Sequence, residues 1–275
     1  MLSFRQKNDK SMPKWAISYF ISISFLFLMG LVAFKLLDGL RVNLPNFVVW
    51  LEIGILGLVV LLMIIAMVRK NFSILWWEVV LLIMALVGVW IFCLSVFPIW
   101  AGIIIAVALT LLPYIWQRTF LNAITLLVGC AGIGLLVSFQ FPYIVVLVCS
   151  FAVAIYDFLR KKDFKMAGLF AEAWQIGLAP GVLIPASALD WFKPINKTWE
   201  AGTGQIVGLL PFIFMAAMSI FFLAWGYIYF IAVWLILAII AVFVGQDDKG
   251  YLRSWVFSMT NAILFAIIGI YLKML

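Results

Sequence analysis

Long uninterrupted runs of apolar residues dominate the chain, and charged residues gather between them. The runs predict nine helices near residues 15–37, 46–68, 74–96, 97–116, 120–140, 142–160, 205–222, 224–245 and 255–273. Most of them approach the ~20 apolar residues that cross a hydrocarbon core of about 30 Å. They lack the strict alternation of barrel strands, so the expected class is an all-α polytopic membrane protein. The third and fourth runs are parted mainly by Phe97 and Pro98, and the seventh and eighth by no charge at all. This divides the chain into a basic N-terminus (1–14), helices one to six (15–160), a connector (161–204) and helices seven to nine (205–275).

Charge supports the count. With nine spans, 15 of the 18 basic residues fall on the side of the N-terminus, and only Lys35, Arg41 and Lys273 lie on or near the other. The positive-inside rule then puts the N-terminus in the cytoplasm and the C-terminus outside. Trp15, Trp76, Trp77, Trp116 and Trp255 lie near predicted span ends, where an interfacial belt belongs. The expected location is a membrane crossed many times, the plasma membrane of a prokaryote. The lipid bilayer is the first implied partner.

Composition agrees: 68% of residues are hydrophobic, 11% are charged, and the mean hydropathy is +1.25. A soluble domain of 275 residues needs far more polar surface. The net charge of +7 reflects topology rather than nucleic-acid binding. Cys93, Cys130 and Cys149 sit inside apolar runs and read as small packing residues. The chain has no histidine, which argues against a zinc protease, and no metal or cofactor is implied.

Ionisable groups inside spans are functional candidates, because charge is costly in hydrocarbon. Glu52 and Glu78 lie near span starts, where they reach water. Asp157 sits about one turn inside the cytoplasmic edge of span six, ahead of a basic run that begins at Arg160. It is equally readable as a helix-end acid paired with Arg160 or Lys161. Gln205 opens span seven on the same side, so Asp157 and Gln205 share one membrane level. Gly202 and Gly204 around Thr203 permit an unusual turn or the close approach of an extended peptide. In the connector, Pro180 and Pro185 predict an extended segment after a short surface helix.

The stretch AIYDFLRKKDFKMAGLFAEA (154–173) resembles the Tyr-Asp motif and following segment of the presenilin and signal-peptide-peptidase family, especially its microbial members. APGVLIPAS (179–187) is similar to that family's hydrophobic connector ending in proline. GTGQIVGLLPFIF (202–214) stands where the family carries Gly-x-Gly-Asp at the start of its seventh helix. The resemblance is concentrated in residues 150–220 and extends to the nine-span topology. It implies an intramembrane aspartyl protease fold, with Asp157 as first carboxylate, Tyr156 before it, and Gln205 in place of the second. The family's Pro-Ala-Leu motif is missing; Asn261 aligns just after its position.

Such chemistry needs two carboxylates that share a proton and hold one water. An amide cannot share that proton. The resemblance therefore implies an inactive homologue that binds single-span membrane proteins or signal peptides. Two alternatives stay open. One is an active protease using a further acid, such as Asp163, Glu172, Asp190 or Glu200. The other is a small transporter or channel built on Glu52, Glu78 and Asp157, with helices interrupted at Pro98, Pro113 and Pro211.

Overall fold

A computed structural model describes residues 14–39, 74–160, 181–185, 187–200, 204–244 and 254–272. The apolar runs become helices α1 (Lys14–Gly39), α2 (Ile74–Val96), α3 (Ile99–Trp116), α4 (Thr119–Gln140) and α5 (Tyr143–Arg160). A strand β1 (Val182–Pro185), a 3-10 turn (Ala188–Phe192), a short helix α6 (Ile195–Glu200) and a strand β2 (Gly204–Val207) follow. The last three helices are α7 (Leu209–Trp225), α8 (Tyr227–Val244) and α9 (Ser254–Tyr271). The span expected at 46–68, with Glu52, lies outside the described residues, as do Asp163, Glu172 and the expected surface helix. Glu78 lies in the first turns of α2, but its side chain is outside the described set.

Helix ends follow local chemistry. Phe97 and Pro98 do separate α2 from α3, with Pro98 at the N-cap. Gln117 takes a left-handed conformation (φ 41°) that stops α3, and its N–H donates to the Pro113 carbonyl. Gly226 (φ 140°) breaks the apolar run between α7 and α8; only glycine adopts that backbone freely. The expectation that helices are interrupted at Pro113 and Pro211 is not met. α3 continues through Pro113 to Trp116, and Pro211 occupies the first turn of α7, where its missing N–H is harmless.

The core is built around α4 and α7. α4 packs on α2 from one side and α7 from the other, and its residues from Ala123 to Val137 are almost all buried. Glycines permit this closeness. A methyl group on Gly132 would collide with the carbonyl of Gly88 on α2. One on Gly134 would stand 2.5 Å from the Ala216 Cβ and 2.8 Å from the Ile213 carbonyl on α7. Polar ties run between helices: Thr125 Oγ1 donates to the Leu109 carbonyl at 2.9 Å, and Trp234 Nε1 to Ser24 Oγ at 3.1 Å. Trp225 stacks on Phe265 at 5.0 Å, fastening the end of α7 to α9.

Among the described residues, one helix, Thr119–Gln140, is both long and apolar enough to cross a membrane, and it is the one most enclosed by the others. The outward faces of its neighbours are apolar too: Ile104, Ile115 and Ile228 are each 70% exposed or more.

The expectation of helices alone needs one correction. β1 and β2 pair antiparallel, with Val182 opposite Val207, Ile184 opposite Gln205 and Pro185 opposite Gly204. The β-branched residues Val182, Ile184, Ile206 and Val207 suit a pleated backbone. Val182, Leu183 and Ile184 are fully buried, and β1 packs on α4 and α1.

Candidate functional site

The directions of α5, α7 and α9 locate the candidate residues. Tyr143, at the start of α5, lies 5.9 Å from Phe265, and Phe158, near its end, lies 4.9 Å from Trp255. α5 therefore runs antiparallel to α9. Phe222 meets Phe265 at 5.4 Å, while Tyr19 bridges Phe212 and Phe257 at 5.7 and 4.6 Å. α7 and α9 thus run parallel, and α5 is antiparallel to both. Tyr143 also meets Trp225, at the end of α7, at 6.1 Å.

It follows that the C-terminal end of α5 lies at the N-terminal end of α7. From Tyr143 to Asp157 the helix rises about 21 Å, and α7 itself is about 25 Å long. Asp157 is therefore within about a turn of the level at which α7 begins. α5 packs directly on α7 and α9, so few layers intervene.

Gln205 does not open a helix, which corrects the expected start of span seven. It is the second residue of β2, in register opposite Ile184, and α7 begins four residues later at Leu209. The cause is local. Gly204 and Gly208 bracket a short β-branched stretch, and Pro211 fixes the first turn of the helix instead. Gly204 lies in the strand opposite Pro185, while Gly202 and Thr203 lie outside the described residues. The side chains of Asp157 and Gln205 are likewise outside the described set, so the structure fixes their backbone positions and not their facing.

Tyr156 is half-exposed on the outer surface of α5. Asn261 is fully buried on α9, where its Nδ2 donates to Met218 Sδ at 3.9 Å and its Oδ1 has no hydrogen-bond partner. Asn261 lies level with the middle of α7, well along the helix from its N-terminal end. About two and a half turns of α7 separate Met218 from Leu209, where the helix begins, so Asn261 supports packing between α7 and α9 rather than a group near Gln205.

Of the other acids, Asp190 is buried in the 3-10 turn and paired with Lys193. That engagement leaves it a structural role in the connector. Sequence reasoning missed the clasp that holds this connector. Thr119 N–H and Oγ1 both donate to the Lys193 carbonyl, at 3.1 and 3.0 Å. Ile195 N–H donates to the Gln117 carbonyl at 2.9 Å, and Thr119 and Thr198 share a buried hydroxyl contact at 3.1 Å. Partners more than seventy residues apart leave no periodic signal to find. Among the described residues no group of His, Cys, Asp and Glu side chains could hold a metal ion.

No family model, curated protein or solved structure matches the chain.

Proposed function

We propose that the chain is a multi-pass membrane protein of presenilin-like arrangement that binds single-span or signal-peptide-like segments without cutting them. The observation that carries this reading is the meeting of two elements at one end of the bundle. The helix end bearing Asp157 and the strand bearing Gln205 both lie at the N-terminal end of α7. Aspartyl proteolysis needs a carboxylate at each of two such positions, and here one is an amide. Without a second acid no proton is shared and no water is activated, but a peptide can still be held.

The sheet supplies a means of holding it. Among the described residues it has two strands, so β2 keeps one edge with no strand beside it. Unpaired N–H and C=O groups on an edge accept an extended peptide, with main-chain bonds giving affinity. The membrane part of the reading is supported by the outward isoleucines of α3 and α8 and by Val148 on α5. Apolar faces this broad on several helices are foreign to a water-exposed monomer.

The test is reconstitution with single-span peptides carrying a photo-crosslinker. Saturable labelling with no cleavage is the expected outcome. Cleavage by the unaltered chain, lost in Asp157→Ala, would overturn the proposal.

A further inference from the structure

The turn between α3 and α4 and the connector facing it form one continuous surface. At its apolar part, Trp116 is 62% exposed, Leu189 78% and Phe192 65%. Phe120 is exposed beside them, its ring 5.7 Å from that of Phe192. These side chains continue the outward apolar face of α3, which runs past Leu111 and Ile115 to Trp116.

Cations stand at the edge of that surface. Arg118 is exposed and gives one N–H, from Nη1, to the Phe192 carbonyl at 2.9 Å. A guanidinium has five such donors. Lys197 is exposed on α6, and Lys193 has half its side chain exposed. The acids within these segments are Asp190, which is buried and paired with Lys193, and Glu200, the last residue of α6. The cations outnumber them. Backbone bonds from Thr119 and Ile195 fix the two halves together, so the arrangement is rigid before anything binds.

We infer that this surface seats in the headgroup layer of a bilayer and selects anionic phospholipids there. Exposed aromatic rings beside cations, at the end of an outward apolar helix face, are what the boundary between acyl chains and headgroups favours. Near an anionic surface each such cation enriches negative lipid about fivefold. The surface lies at the α3–α4 turn, and the inference rests on the membrane part of the reading above but not on peptide binding.

The experiment uses the full chain carrying Leu189→Cys and Cys149→Ser, labelled at position 189 with bimane and reconstituted in phosphatidylcholine vesicles containing a minority of phosphatidylglycerol. Bromine is placed high on the acyl chains of one lipid or the other at equal mole fraction. Brominated phosphatidylglycerol should quench several-fold more strongly than brominated phosphatidylcholine. The preference should shrink in high salt, which screens exposed charge, and should fall further in Arg118→Gln with Lys197→Gln. Equal quenching by the two lipids, or a preference indifferent to salt, overturns the inference alone if carbonate washing leaves the chain in the vesicles. Release of the chain by carbonate overturns the membrane reading with it.

Discussion

The closeness of α2 and α4 gives a sharp packing prediction. Gly102 and Gly132 are both buried glycines inside helices, in α3 and α4 respectively. They differ in the space above their Cα atoms. A Cβ on Gly102 would meet Cys93 atoms at 3.6 Å, an ordinary contact. A Cβ on Gly132 would overlap the Gly88 carbonyl and crowd the Phe92 N–H at 3.0 Å, and both are backbone that cannot rotate away. Alanine gains about 0.8–1.0 kcal/mol over glycine in helix propensity. Forcing apart a packed pair costs about 1–3 kcal/mol or more. Gly102→Ala should therefore be neutral or stabilising by up to ~1 kcal/mol. Because the clash is with backbone, the cost belongs at the upper end, about 3 kcal/mol, and Gly132→Ala should lose about 2 kcal/mol net, near thirtyfold in the folding equilibrium. Reversible unfolding in detergent micelles, followed by circular dichroism, measures both. Equal stabilities for the two variants would refute the backbone-to-backbone crossing.

Other substitutions probe polar groups in the same fold. Thr198→Val removes a buried hydroxyl from the connector clasp and should loosen it by ~1–2 kcal/mol, read as faster proteolysis between residues 187 and 200. Trp234→Phe deletes the donor to Ser24 and should cost about 0.5–1.5 kcal/mol in the same micelle assay. Asn261→Leu replaces a buried amide whose oxygen has no partner and whose nitrogen meets only a thioether. Stability should hold or rise. A loss above ~2 kcal/mol would reveal a polar partner for that oxygen.

Most helices were legible because apolar length and charge spacing are one-dimensional signals. The break at Phe97 and Pro98 and the limits of α4 and α5 follow directly from them. β2 was not legible, since four residues running into an apolar helix carry too few positions to distinguish a period of 2 from one of 3.6. Only pairing with β1, twenty residues away, makes it a strand, and that pairing moves Gln205 off the helix. The glycines of α4 did carry a signal: Gly129 and Gly132, three residues apart, make a small-residue patch toward α2, and Gly134 opens the opposite side toward α7. The Tyr-Asp stretch pointed to one end of α5, and the ring contacts of Tyr143 and Phe158 fix which end of α7 it adjoins.

The central claim is that positions 157 and 205 gather at one end of α7. Spin labels at Asp157→Cys and Gln205→Cys, in a Cys149→Ser background that leaves the two buried cysteines in place, measure it directly. The account predicts a distance well below the ~25 Å length of α7. A distance equal to that length or longer would contradict it.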